Sequence, residues 1–187
     1  SSTLPTEIAT FTVDAFTEIN NEKDHLGITI GNILKSDPVL ARIHSQCITG
    51  ESFFSLRCDC RYQLSESLNQ IAIKGCGVIF YLQQEGRGIG LSNKIRAYKL
   101  QDSGFDTVEA NHHLGFHEDE RNYEIVSAMA NHLKIKTIDL MTNNPKKIDA
   151  IEKSGLKINK RIPIKSESND HNKSYLNTKA KKLGHLM

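Results

Sequence analysis

Three cysteines in one short stretch carry the clearest chemistry, since Cys47, Cys58 and Cys60 follow the spacing C-x10-C-x-C. Thiolates bind soft or borderline metal ions, and zinc is the usual one. Three protein thiolates leave a fourth tetrahedral position open, as in catalytic zinc sites, whereas a closed structural site needs four ligands. Arginines flank the cysteines, Arg42 and Arg57 among them, so the stretch predicts a metal site that meets an anion such as a phosphate.

The alternative is that these cysteines are unliganded core residues, because free cysteine is often buried. The arginine, aspartate and serine residues around them suit a core poorly, which favours metal binding. Four cysteines could form two disulfides, but Cys58 and Cys60 are separated by a single residue and a chain of 187 residues does not need such bridges. Reduced thiols and a cytoplasmic protein are therefore expected, and Cys76, between two glycines, is interpreted as structural.

A glycine-rich loop, Glu85 to Gly90, follows an apolar run and precedes a predicted helix. Glycines let backbone N–H groups approach an anion, and a helix N-terminus adds positive potential. The pattern is neither a Walker loop nor a complete G-x-G-x-x-G, so an ordinary strand-to-helix turn is the alternative to a nucleotide-binding loop. The carboxylate of Glu85 could bind a guanine-like N–H edge or a metal.

Two further polar segments border predicted helices. Asp119 and Arg121 lie just before or within the first turn of the helix predicted at about 120–133, where an acid can orient a water molecule or a neighbouring arginine. The alternative is that they cap the helix and form a surface ion pair. The segment 142–147 joins a strand to a helix and is either an anion site or a plain cap. The adjacent His112 and His113 would diverge in any regular structure and are not expected to bind metal.

The elements that position these residues alternate along the chain. Apolar and β-branched runs predict strands at 8–13, 28–34, 38–44, 78–82, 137–141 and 156–164. Apolar residues at helical spacing predict helices at 61–74, 91–102, about 120–133, from Pro145 to before Gly155, and a short one ending near Gly184. The order predicts an α/β (mixed α+β) single domain, with a mixed sheet flanked by helices and a strand-rich N-terminal part.

Composition limits the function classes. A hydrophobic fraction of 38% and a charged fraction of 25% fit a soluble globular protein. The net charge of +2 does not by itself indicate nucleic-acid or membrane binding, and neither partner is expected. No apolar run approaches the roughly 18 residues that cross a bilayer, and no signal peptide is expected from the first residues.

In this order, the segments resemble the GTP cyclohydrolase II family over about residues 36–187. The resemblance rests on PVLARIHSQC, FSLRCDC, QEGRGIGL, NKIRAY, MTNNPKK and YLNTKAKKLGHLM, while the first 35 residues match weakly. It implies one domain over 1–187. The C-terminal tail from 165 is expected to order when substrate binds, because its loop is polar and its lysines could follow a phosphate. The resemblance also implies the stand-alone form, because this length leaves no room for a fused dihydroxybutanone-phosphate synthase.

The family opens the imidazole ring of GTP and releases formate and pyrophosphate, leaving a diaminopyrimidinone ribosyl monophosphate, in the first step of riboflavin biosynthesis. The resemblance implies one zinc ion per subunit, held by the three cysteines, which activates the attacking water. It also implies magnesium at the phosphates and a homodimer.

Carried over by position, Asp119 corresponds to the family's proton acceptor, Tyr98 to a tyrosine implicated in ring opening, and Arg121 to the residue proposed to attack the α-phosphate. Because a guanidinium is rarely deprotonated, charge stabilisation is the simpler role for Arg121, with Asp119 holding it. The resemblance implies that GTP is bound by Arg42, Ile43, His44, Ser45, Gln46, Gln63, Glu85, Gly86, Arg87, Thr107, Thr142 and Lys147.

Three residues depart from the family pattern: Gln46 replaces a glutamate, Arg61 a glycine and Phe105 a tyrosine. None removes a predicted ligand, although the charge lost at Gln46 could change magnesium affinity. A zinc hydrolase acting on another purine nucleotide, or one stopping at a formamide intermediate, is a second hypothesis. A structural-zinc module for nucleic acid is a third, which the small net charge and the lack of basic–aromatic interleaving disfavour.

Overall fold

The structure is a computed structural model that describes residues 1–186, apart from the side chain of Ser174. Its seven described strands form one mixed sheet in the order β1-β2-β3-β5-β4-β6-β7. The first three and β5 pair antiparallel, whereas β5, β4, β6 and β7 are mutually parallel. The strands are β1 (Ser2–Pro5), β2 (Thr10–Glu18), β3 (Lys23–Ile30), β4 (Val39–Ser45), β5 (Gly77–Leu82), β6 (Thr137–Met141) and β7 (Lys157–Ile162).

Helices connect the parallel strands and cover the sheet. They are α1 (Ile48–Glu51), α2 (Cys60–Lys74), α3 (Leu91–Asp102), α4 (Thr107–His113), α5 (Glu124–His132), α6 (Pro145–Lys153) and α7 (Lys173–Lys181). Local sequence explains several boundaries. Asp106 and Glu109 form a capping box at the start of α4, and Asn144 caps α6 with Pro145 at its first position.

The central strands are buried on both faces, which explains why their sequences are nearly continuous apolar runs. On one face, Ile43 and Phe80 pack with Met129 of α5 and other apolar side chains. On the other face, Leu40 and Ile79 belong to a second cluster that contains Ile71 of α2. The core therefore fixes the directions in which β4, β5 and β6 end.

The carboxyl ends of these parallel strands lie at one edge of the sheet. Cys47 lies two residues after β4, the glycine loop follows β5, and the segment 142–144 follows β6. Ligand sites in sheets of this kind form at such an edge. The sheet thus brings together three segments that are far apart in the sequence.

The predicted fold class is confirmed, and most central elements lie where the sequence indicates. Two strand predictions are wrong at their ends: 8–13 is the start of the longer β2, and 28–34 is the end of β3, because the chain turns at Gly31 with a φ of 73°. The predicted helix at about 120–133 begins only at Glu124. The short elements β1, α1 and α4 were not predicted.

Candidate active site

The three cysteines converge as their spacing predicts. Cys47 precedes α1, Cys58 lies before α2 and Cys60 is the first residue of α2. Their sulfur atoms all lie within 4.8 Å of one another, and those of Cys47 and Cys58 are 3.7 Å apart. Two thiolates on a tetrahedral zinc ion, with Zn–S bonds near 2.3 Å, would be about 3.8 Å apart. The donor set and its spacing fit a zinc ion with one coordination position left over.

Gly50 makes this convergence possible. A β-carbon at this position would lie 2.8 Å from the sulfur of Cys58 and 3.3 Å from that of Cys47. Glu51 holds the same turn, since its Oε1 accepts the Cys47 N–H at 2.9 Å and contacts His44 Nε2 at 2.8 Å. The Tyr81 hydroxyl donates to the second carboxylate oxygen at 2.6 Å. The turn is therefore shaped by side chains before any metal binds.

A buried ion pair lies against the first cysteine. Lys94 Nζ is 2.6 Å from Glu85 Oε1 and 3.1 Å from the Cys47 sulfur. Glu85 also accepts the N–H of Ile48 at 2.7 Å and that of Gly86 at 2.8 Å. Its carboxylate is thus engaged by the protein, and the predicted contact of Glu85 with a guanine edge stays a prediction. Hydrogen bonds from Cys58 and Cys60, together with Lys94, hold the pKa of Cys47 far below its usual range.

Tyr98 lies one turn after Lys94 on α3 and faces the same cluster. Its hydroxyl is 3.2 Å from Thr49 Oγ1, which is 3.8 Å from the Cys47 sulfur. Burial raises the pKa of Tyr98 above its ordinary value, so the phenol keeps its proton at neutral pH. A protonated hydroxyl near the thiolates can donate a proton or a hydrogen bond to a group bound there.

Arg121 and Asp119 form a two-pronged ion pair before α5. Arg121 Nε donates to Asp119 Oδ1 at 2.7 Å, and Nη2 donates to Oδ2 at 2.5 Å. Burial opposes the charge on Arg121, but Tyr123 and Asp119 outweigh it and raise its pKa. Burial likewise opposes ionisation of Asp119, yet its bonds to Arg121 hold its pKa below the usual range. Both groups are charged, and Nη1 of Arg121 is left 3.5 Å from the Ser45 hydroxyl.

Three further basic side chains line the site. Arg42 donates to the Met141 carbonyl at 2.8 Å and to Gln63, and burial lowers its pKa to about 10. Lys147 donates to the Ile43 carbonyl at 2.8 Å, and burial lowers its pKa well below the ordinary value. Arg87 has two buried guanidinium nitrogens with no hydrogen-bond partner among the described residues. Unpartnered buried donors are rare, so these two nitrogens are available to a ligand in the cavity.

These groups surround one cavity. The basic side chains on its wall belong to Arg42, Arg57, Arg87, Lys94, Arg121, Lys147 and Lys179. Glu85 is the one carboxylate on that wall in the described part of the chain, and Lys94 neutralises it. A cavity wall with this excess of positive charge suits a polyanionic ligand such as a nucleotide.

The structure places the predicted site residues around this cavity, except for Ile43 and Asp119. Ile43 is a core residue that offers only its carbonyl to Lys147, and Asp119 acts on the cavity through Arg121. Among the three departures, Gln46 lines the cavity, while the Arg61 guanidinium lies 4.0 Å over the Phe54 ring. Phe105 packs against His113, which is exposed at the end of α4.

Several functional candidates were not predicted from the sequence. They are Gly50, Glu51, Asp59, Gln84, Lys94, Gln101, Asn111, Tyr175, Lys179 and His185. Lys94 and Gln101 could have been found from spacing, because positions four before and three after Tyr98 share its helix face. The others are brought in by tertiary contacts that have no local pattern.

Within the described residues, no helix combines the length and apolar character that crossing a bilayer requires.

Comparison with known proteins matches this arrangement to a family. The sequence model of the family described as GTP cyclohydrolase II matches residues 1–163. The GTP cyclohydrolase-2 of Azotobacter vinelandii is 53% identical over 187 residues, covering 100% of this chain and 90% of that protein. That of Saccharophagus degradans is 54% identical over 186 residues, covering 100% and 93%.

Among solved structures, a two-domain 3,4-dihydroxy-2-butanone 4-phosphate synthase from A. baumannii aligns with a TM-score of 0.49 and 15% identity, covering 89% of this chain and 39% of that one. The match to the family model and the identity to full-length relatives confirm the resemblance seen in the motifs. The chain belongs to the GTP cyclohydrolase II family of hydrolases.

Proposed function

We propose that this chain is a zinc-dependent enzyme that hydrolyses GTP, opens its imidazole ring and releases formate and pyrophosphate, as the first step of riboflavin biosynthesis. The observation that carries the proposal is the position of the cysteine cluster, which forms part of the wall of the basic cavity that also holds Tyr98 and Arg121. A metal at one place and cations at another suit a substrate with a reactive ring and a polyphosphate.

Cys47, Cys58 and Cys60 would hold the zinc ion, which supplies activation of a water molecule for attack on the guanine ring. Tyr98 faces the same cluster and keeps its proton, so it is suited to donate that proton to a leaving nitrogen as the ring opens. Thr49 fixes the phenol through its hydroxyl. The tyrosine thus acts on the ring, where carbon–nitrogen bonds must break.

Arg121 serves the phosphates. Its raised pKa and its two bonds to Asp119 make it a fixed cation, so charge stabilisation of the transferring phosphoryl group suits it better than nucleophilic attack. Asp119 is a positioning residue in this proposal, because both its oxygens are taken by Arg121. Arg87, with two free buried nitrogens, supplies a bidentate phosphate contact.

Magnesium at the phosphates and a homodimer stay predictions from the family resemblance, and a cytoplasmic location stays a prediction from the reduced cysteines. The ordering of the tail from 165 on substrate binding stays a prediction from its polar residues and lysines, and its last residue, Met187, lies outside the described residues.

The test incubates the protein with GTP and magnesium and follows formate and pyrophosphate together. We expect both products, and we expect formate to disappear after zinc chelation and return when zinc is restored. Cys58→Ser should behave as the chelated protein, whereas Cys76→Ser should retain activity. If the zinc-loaded protein releases neither formate nor pyrophosphate from GTP, the proposal is refuted. If it forms products faster from ATP or ITP than from GTP, its substrate is another purine nucleotide.

A further inference from the structure

The C-terminal segment, residues 165–186, contributes to the cavity although it lies beyond the region that matches the family model. Its helix α7 packs on the body of the protein, with Leu176 and the following Leu183 buried. Tyr175, Lys179 and His185 of this segment line the same cavity as the cysteine cluster. No role in the reaction has so far been given to any of them.

One buried ion pair attaches this segment to the metal-binding turn. Lys179 Nζ is 2.6 Å from Asp59 Oδ1, and the two side chains are only 9% and 4% exposed. The Ser166 hydroxyl donates to the second carboxylate oxygen at 3.1 Å, and Gln63 Nε2 donates to it at 2.6 Å. Asp59 is the residue between Cys58 and Cys60. The attachment therefore ends between two predicted metal ligands.

Because the Asp59–Lys179 ion pair is buried, each partner depends on the other. A carboxylate and an ammonium group that are both removed from water depend on each other, and removing either one leaves an uncompensated buried charge. Two of the three donors to Asp59 are far from it in the sequence, since Lys179 is 120 positions and Ser166 is 107 positions away, whereas Gln63 is four positions away on α2. Asp59 is thus a common anchor for α2 and for the C-terminal segment.

The attached segment completes the basic wall. The Arg87 guanidinium lies 5.8 Å from the Tyr175 ring centroid, and Lys179 Nζ lies 4.6 Å from it. Both cations thus lie close to the Tyr175 ring, and both line the cavity. An anion that binds Arg87 would meet a wall whose position depends on the Asp59–Lys179 pair.

We propose that Asp59 and Lys179 form a latch that holds the C-terminal segment over the cavity, and that α7 is thereby a wall of the nucleotide-binding site. The first part concerns the free protein alone, whereas the second rests on the proposed hydrolysis of GTP. Asp59 and Lys179 are positioning residues in this proposal. Their loss is expected to weaken nucleotide binding more than it slows the chemical steps.

The test compares Lys179→Met with Lys181→Met, which removes an exposed lysine from the same helix. Hydrogen exchange of the zinc-loaded protein without nucleotide is measured first. We expect amides 175–182 to exchange at least tenfold faster in Lys179→Met and in Asp59→Asn than in the wild type and Lys181→Met. Equal exchange in all four proteins would overturn the latch. Zinc content is measured in each, so that damage to the cysteine turn by Asp59→Asn is separated from release of the helix.

Steady-state kinetics with GTP then test the wall. We expect the KM of Lys179→Met to rise at least tenfold with kcat changed less than threefold, and Lys181→Met to match the wild type. Faster exchange with an unchanged KM would overturn the role in binding. If the zinc-loaded wild type does not hydrolyse GTP at all, the proposed function fails, while the exchange result still decides the latch.

Discussion

The buried pair of Lys94 and Glu85 offers a quantitative prediction. Both side chains are 9% exposed, and Lys94 also approaches the Cys47 sulfur at 3.1 Å. Replacing Lys94 with methionine keeps an unbranched side chain that is one atom shorter and removes its charge. Glu85 is then a buried carboxylate without its cation, although two backbone N–H groups still bind it.

Breaking a buried ion pair by removing one partner typically costs about 3–5 kcal/mol. We expect Lys94→Met to lose unfolding free energy in that range, and a chain of this size then loses about 6–20 °C in Tm. Zinc affinity should fall about 10–100-fold, because a partner of the metal-ligating Cys47 is lost. Glu85→Gln in the same chain should restore part of the stability, since it removes the unpaired carboxylate.

Denaturant unfolding of the zinc-loaded proteins measures the free energy, and competition with a chromophoric chelator measures zinc affinity. Lys99→Met is the matched control, because Lys99 is exposed on the same helix. A loss below 1 kcal/mol for Lys94→Met, or a double variant less stable than Lys94→Met alone, would refute the reasoning.

Three other predictions concern the site. Gly50→Ala should weaken zinc binding at least tenfold while Ser52→Ala does not, because the added carbon would lie 2.8 Å from the Cys58 sulfur; equal chelator competition by both would contradict this. Arg121→Ala should lower pyrophosphate release about 100-fold or more, as timed samples assayed for pyrophosphate can show, and Arg121→Lys should retain part of it. Undiminished release by Arg121→Ala would contradict the role of Arg121, whereas a weak Arg121→Lys would not, because a lysine cannot make both bonds to Asp119. Burial lowers the pKa of His185 to about 3, together with the nearby cations Lys179, Arg121, Arg87 and Lys147. The His185 imidazole therefore stays neutral while the tail is docked, but it binds a proton below about pH 6.5 once the tail is released, so acid favours release. The protection of the tail amides, taken relative to their intrinsic exchange rate at each pH, should therefore fall from pH 7 to pH 5 in the wild type and not in His185→Gln.

The cysteine cluster could be predicted because metal ligation needs particular atoms, and those atoms are named by residue type. The sheet could be predicted because burial on both faces produces apolar runs in β4 and β5. The α3 helix shows where this reasoning fails. Its apparent apolar side, including Leu91 and Ile95, is 43% and 50% exposed at these two residues, while Lys94 is buried.

That inversion has a physical reason, since a cation with two anionic neighbours is stable in a place where periodicity predicts a hydrophobic side chain. The attachment of Lys179 to Asp59 could not be predicted for a different reason. It joins residues 120 positions apart, and neither lysine spacing nor helix periodicity indicates which carboxylate a lysine will meet. Local patterns identify donors and acceptors, but only the packed chain pairs them.

The backbone of the glycine loop has a consequence for how this protein could be changed. Arg87 has a φ of 62°, a left-handed conformation that costs a non-glycine residue about 1–2 kcal/mol. Glycine at this position would relieve that strain. It would lose more conformational entropy on folding than arginine does, but this costs only about 0.5–1 kcal/mol. Selection for stability alone would therefore tend to remove Arg87, and a thermostabilised variant chosen without an activity screen would be at risk of losing the side chain whose free nitrogens face the cavity.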